Sequence, residues 1–141
     1  MKRIITILIA ASLLLACGYG HICADQNAEE KAVAAAQDWL ALVDQGEYAE
    51  SWQHAAELFK KVVTQEQWEH SMLAFREPLG SVVSRGLKSS TYETSLPGAP
   101  DGEYVVIQYS TSFENKKSAV ETVTPMLDPD GRWRVSGYYI K

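Results

Sequence analysis

Apolar and polar positions follow two different periods along this chain, and the change between them falls at Gly80. From Ala28 to Asp44 the apolar side chains Ala32, Ala35, Ala36, Trp39, Leu40 and Val43 return at helical spacing, which predicts a helix with one stripe toward a core. Alanine adds helix propensity, Glu29 and Glu30 suit the positive end of the helix dipole, and Gly46 supplies a C-terminal cap. A second stripe (Tyr48, Trp52, Ala55, Phe59, Val62) predicts a second helix. Thr64-Gln65-Glu66-Gln67 has the capping-box pattern and opens a third, striped by Trp68, Met72, Phe75 and Leu79. Pro78 and Gly80 end it.

After Gly80 the alternation has period two. Val82 to Leu96 reads as a long Ser/Thr-rich strand with a bulge or bend at Gly86. Pro97 to Gly102 is a loop. In the next strand, Glu103 to Phe113, Val105, Ile107, Tyr109, Thr111 and Phe113 take the core side, while Tyr104, Gln108, Ser110 and Ser112 take the other. Asn115-Lys116 turns the chain into Ser118 to Leu127. Asp128-Pro129-Asp130-Gly131 then reads as a tight hairpin with a glycine bulge, leading to Trp133, Val135 and Tyr138-Tyr139-Ile140. Short connections favour antiparallel neighbours. The expected fold class is α+β: three N-terminal helices packed on one face of a four-stranded antiparallel meander sheet.

Ahead of this domain, Lys2 and Arg3 followed by the apolar run Ile4 to Ala16 have the form of a secretory signal. The run is shorter than the roughly 20 residues a membrane span needs. Residues 1–24 are therefore expected to be a signal peptide and 25–141 a single domain. Two processing sites compete: cleavage after Ala24, and Leu14-Leu15-Ala16-Cys17, which resembles a lipoprotein lipobox with Cys17 as the lipidated residue. Leu15 is large for that pattern, which favours the soluble form. A Cys17–Cys23 disulfide would staple nothing, and no cysteine follows residue 24, so the domain must hold together by its core.

Of 141 residues, 18 are Asp or Glu and 13 are Lys or Arg. Residues 25–79 hold 11 acids against 4 bases, whereas residues 80–141 hold 7 of each. An acidic helical half disfavours nucleic acid and anionic membrane as partners. Membrane contact is expected only through the signal segment or a lipid on Cys17.

The order of elements, the Trp-rich helical start and the last strand entered through Asp130-Gly131-Arg132-Trp133-Arg134-Val135 resemble the nuclear-transport-factor-2-like (cystatin-like, cone-shaped) fold. More closely, the domain resembles the bacterial exported family called domain of unknown function 4019. The likeness lies in Asp38-Trp39-Leu40, Gly46 to Trp52, Glu66-Gln67-Trp68, Pro78-Leu79-Gly80, Ser95 to Tyr104 and Asp130 to Tyr138. The resemblance implies a fold and brings no activity or site residues with it.

Candidate chemistry is sparse. Trp39, Trp52, Phe59 and Trp68 suit a core better than a ligand pocket, since they sit at helical spacing. His54 with Glu57 and His70 with Glu66 have ligand-like spacing, but nothing pairs the two sets, so no metal or other cofactor is expected. The wider fold hosts isomerases and dehydratases, which need an acid or histidine beside a donor. Inward strand positions offer Tyr109, Thr111, Glu121 and Tyr139 as pocket candidates, and Asp101, Asp128 and Asp130 all fall in turns. The favoured reading is a non-catalytic, exported periplasmic binding or interaction module. It would form a homodimer, or meet an envelope protein, through an outer sheet face carrying Tyr104, Gln108, Ser110, Ser112, Arg132, Arg134 and Tyr138. A small-molecule pocket protein or an isomerase-type enzyme is the alternative.

Overall fold

The computed structural model describes residues 19–141, with side chains from Cys23 onward. The basic start, the apolar run and Cys17 lie outside the described residues. Four α-helices come first: α1 (Tyr19–Asp44), α2 (Tyr48–Gln53), α3 (Glu57–Val62) and α4 (Gln65–Phe75). A 3-10 turn over Glu77–Leu79 follows. The strands β1 (Val82–Glu93), β2 (Tyr104–Phe113), β3 (Lys116–Leu127) and β4 (Trp133–Ile140) pair antiparallel in the order β1-β2-β3-β4. This is the α+β arrangement the two periods predict, with helices against one side of a meander.

Two helices differ from expectation. The first is already helical at Tyr19, ahead of Ala28, so Glu29 lies inside it instead of in a first turn. Glu29 reaches β1 and accepts hydrogen bonds from Ser90 Oγ (2.7 Å) and the Tyr92 amide (3.3 Å). The stripe from Tyr48 to Val62 is two helices rather than one. Between them Ala55 and Ala56 are wholly buried, and the Ala56 amide donates to the Val135 carbonyl at 2.8 Å. That bond takes an amide out of the helical ladder and turns the chain along β4. Val62 consequently faces solvent (69% exposed). Phe75, assigned to the stripe of α4, is 75% exposed.

The core gathers Ala32, Ala36, Trp39, Leu40 and Val43 of α1 with Phe59, Trp68 and Met72, over Val105, Ile107, Tyr109, Val123 and Val135 of the sheet. Ser51 is the polar pivot between helices. It accepts Trp39 Nε1–H at its carbonyl (2.8 Å) and Trp68 Nε1–H at its hydroxyl (2.9 Å). Trp52 Nε1–H donates to the Val63 carbonyl at 2.8 Å. Trp39 and Trp68 are buried and Trp52 partly so, and each satisfies its N–H, which is how tryptophan enters a core without loss.

The hairpin forms as predicted. The Gly131 amide donates to the Asp128 carbonyl, the Asp128 amide to the Arg132 carbonyl, and Gly131 adopts φ +79°. The bulge expected at Gly86 is displaced: Gly86 pairs regularly with Ser110, and the register slips on either side of it, between Val82 and Ser84 and between Leu87 and Ser89. A third slip lies in β4. Thr124 pairs with Gly137 and Pro125 with Val135, leaving Ser136 as the extra residue. Its hydroxyl bonds the Thr124 carbonyl at 2.8 Å.

Candidate functional site

The register brings charged side chains together on the helix-facing side of the sheet. Arg85 lies opposite Thr111, and Tyr109 opposite Glu121. The bulge at Ser136 reverses the alternation of β4, so Tyr138 shares the inner side with Trp133 and Val135. Glu121 is 0% exposed and accepts four hydrogen bonds. Oε2 takes Arg85 Nε–H (2.6 Å) and the Thr111 hydroxyl (2.5 Å); Oε1 takes Arg85 Nη2–H (3.1 Å) and the Tyr138 hydroxyl (2.6 Å). A carboxylate taken out of water needs this degree of compensation.

The network continues outward. Arg85 also forks onto Asp44 (2.6 and 2.9 Å), and Asp44 accepts Arg76 Nη2–H at 3.1 Å. Burial opposes the charge of Arg85, but the bonds to Asp44 and Glu121 outweigh it and raise its pKa. Burial, reinforced by the charge of Glu121, pushes the Tyr138 hydroxyl well above the usual tyrosine range, so it remains a donor. Tyr109 is raised chiefly by burial, and its hydroxyl has no partner. Every lone-pair direction of Glu121 is occupied, so it has no free position from which to take a substrate proton. The arrangement is a scaffold that ties α1 to β1, β2, β3 and β4.

Three clefts border this scaffold. The first, about 670 Å³, lies between α4 and the end of β4 and is walled by Phe59, Trp68, Met72, Phe75, Tyr138 and Ile140, with Arg76 also lining it. A second, about 490 Å³, lies across Arg76 and carries Asp44, Glu47, Glu69, Glu77 and Glu114. A third, about 260 Å³, is bordered by Leu40, Asp44, Arg85, Leu87 and Tyr109.

The sequence model of the family described as protein of unknown function (DUF4019) matches residues 35–138. The chain belongs to the DUF4019 family. No curated protein and no solved structure matches it. The matched segment contains the whole Glu121 network and most of the lining of the 670 Å³ cleft.

Within the DUF4019 domain the pocket candidates divide. Tyr109, Thr111 and Glu121 face inward and meet, as expected. Tyr139 does not join them; it points to the other side of the sheet, 50% exposed, with Lys141 Nζ 5.6 Å from its ring. The outer-face candidates are scattered. Tyr138 faces inward because of the Ser136 bulge. Tyr104 lies on the outer side but is buried under the loop before β2, its hydroxyl donating to the Pro100 carbonyl at 2.6 Å. Arg134 is held by Asp128 (2.8 Å) and Asp130 (2.7 and 2.9 Å). Arg132 is exposed beside the hairpin turn, Gln108 and Ser112 are half-buried, and Ser110 is exposed.

Arg76, Arg85 and Asp44 were not singled out by pattern. Asp44 reads as a helix end, and Arg85 stands beside Gly86 in a Ser/Thr-rich strand with nothing to mark it. The one available signal is Glu121, an acid on the core side of a strand, which requires a cationic partner. His54 binds Glu50 at 2.9 Å on the surface, Glu57 pairs with Lys60, and His70 is exposed. Among the described residues, no group of three or more His, Cys, Asp or Glu side chains is placed to hold a metal. No described helix is long and apolar enough to cross a membrane.

Proposed function

We propose that this DUF4019 protein is an exported, non-catalytic binding module whose ligand seat is the cleft between α4 and the end of β4. The observation that carries the reading is the character of that cleft. Its walls are aromatic and aliphatic, Phe75 stands exposed at its edge, and its volume of about 670 Å³ suits a small molecule, for which sites of roughly 300–1,000 Å³ are usual. An exposed phenylalanine beside an apolar hollow is the feature a surface avoids unless something covers it. The saturation of Glu121 argues against acid–base chemistry in the domain. Export rests on Lys2, Arg3 and the apolar run to Ala16.

Two measurements test the reading. Titration with the neutral apolar fluorophore N-phenyl-1-naphthylamine should give saturable, one-to-one binding. Filling the hollow with Ser71→Trp, or charging its edge with Phe75→Glu, should abolish that binding without lowering the melting temperature appreciably. Wild-type protein that shows no saturable binding would refute the cleft reading. The mass of the protein from its own cell should lack at least the residues before Cys17, and an intact Met1 would refute export.

A further inference from the structure

The side of the sheet turned away from the helices is unlike the rest of the molecule in charge. Tyr139, half exposed, stands on it at β4. Across the strands its neighbours there are Thr122 and Thr124, then Gln108 and Ser110, then Gly86, and none is charged. Over Gly86 an added Cβ would meet nothing within 4 Å, so the face is bare at that strand. Charged side chains stand at the margins. Arg134 is tied to Asp128 and Asp130 at the hairpin, Lys141 lies against Tyr139, and Lys88 and Glu93 belong to the edge strand β1. The acids gather instead in the helical half, where residues 25–79 hold 11 against 4 bases. Each edge of the sheet is tied to the helical layer: the Tyr92 amide of β1 donates to Glu29 (3.3 Å), and the Val135 carbonyl of β4 accepts from the Ala56 amide (2.8 Å). Those bonds obstruct the addition of a further strand at either side. The outer face is what remains.

We infer that a second copy of this chain covers the face, in a two-fold dimer with sheet packed on sheet and the helical layers outside. An uncharged face is self-complementary, since a two-fold axis then brings no like charges together at its centre. A contact through the helical layers would set acid against acid. Here two sheets about 10 Å apart stand between them, beyond the roughly 8 Å over which surface charges act at physiological salt. The shape agrees with this choice. With the axis along the strands between β2 and β3, β4 of each copy lies over β1 of the other, as aligned sheets pack. Each Tyr139, level with Ser89 through Thr122 and Gln108, then falls on the small residues Gly86 and Ser89 of the other copy. Tyrosine is the residue type that anchors such contacts. Four strands at about 4.8 Å spacing, with about eight residues each, give a footprint of about 500 Å² per copy. The total of roughly 1,000 Å² is the lower bound of a specific interface, so the dimer is a weak one.

Sedimentation velocity of the purified protein, from micromolar to millimolar concentration, tests the dimer. A reversible monomer–dimer equilibrium is expected, with a micromolar dissociation constant. Ser110→Arg places two like charges close to the axis and should weaken association at least about tenfold. Tyr139→Ser removes the projection and should weaken it by a similar factor. Ser110 and Tyr139 are both exposed, so each variant should melt as the wild-type monomer does, and the two give independent readings. His70→Arg makes the same change of charge on the exposed side of α4 and should leave association unchanged. Added salt should not weaken the dimer, because no ion pair joins the copies. A monomer at every concentration, a dimer indifferent to both sheet variants, or a dimer that dissociates as salt rises would overturn the proposal. A monomer that binds phosphatidylcholine vesicles and loses them with Ser110→Arg would give the face to a bilayer and overturn it equally.

Discussion

Glu121 accepts four hydrogen bonds where water does not reach, while Asp130, half exposed, meets its arginine at the surface. The same pairing of functional groups has different consequences in the two places. At Glu121 the partners offset the loss of hydration, and removing one leaves an uncompensated charge. At Asp130 the fork from Arg134 holds the carboxyl well below its ordinary value of 3.8, at about 2, with help from the Arg132 amide at 3.1 Å. A folded pKa below the unfolded one contributes stability that is present above the unfolded value and lost as pH falls through the folded one. The carboxyl resonance of Asp130 should therefore titrate near 2, and the associated stability should fade between pH 3.8 and 2. Arg134→Gln should return the midpoint toward 3.8 and flatten that part of the acid dependence. A wild-type midpoint already at the ordinary value would contradict the pairing. The turn that produces this contact was legible in Asp128-Pro129-Asp130-Gly131, because local turn chemistry is written in neighbouring residues. The partner chosen by Arg134 was not, since alternation alone placed it on a free outer face.

Elements were legible where a period ran undisturbed and illegible where the register slipped. Period two carries no mark for a bulge unless a glycine signals it, and in β4 the extra residue is Ser136. From that point the inner and outer sets exchange, which is why Tyr138 and Tyr139 have opposite roles to those alternation assigns. Tyr138 packs edge-on against Trp39 (centroids 5.3 Å apart) and Trp68 (6.4 Å), and donates to Glu121. Replacing it by phenylalanine keeps the ring and leaves Glu121 one donor short, at a cost of about 1–3 kcal/mol. Tyr139→Phe should change stability by less than about 0.5 kcal/mol, as a solvent-facing substitution does. Urea unfolding of the two variants checks the phase of β4; equal effects, or the reverse order, would restore the unbulged register. The break between α2 and α3 escaped the helical stripe for a similar reason. The bond from the Ala56 amide to the Val135 carbonyl joins residues far apart in sequence, and no window along the chain contains both.

At the scale of the molecule, the layer order follows from the sequence, and the site does not. Phe59, Trp68 and Tyr138 share a cleft although most of the strand half separates the helices from β4. Asp44, Arg85 and Glu121 share a network across α1, β1 and β3. Both assemblies depend on how the helical layer sits on the sheet, which is a property of packing. The Glu121 network fixes that placement, binding α1 to the strands, and the cleft lies where α4 and β4 diverge beside it. The fold thus divides its labour, with the buried charges as scaffold and the apolar hollow as the proposed ligand seat. The most direct test of that division is a two-dimensional NMR titration of the nitrogen-15-labelled protein with the neutral fluorophore. Saturable shifts are expected at the Trp68 indole N–H and at the Ser71, Met72, Tyr138 and Ile140 amides. Shifts centred on Asp44, Arg85 and Tyr109, or on Gln108, Ser110 and Ser112 of the outer sheet face, would contradict it.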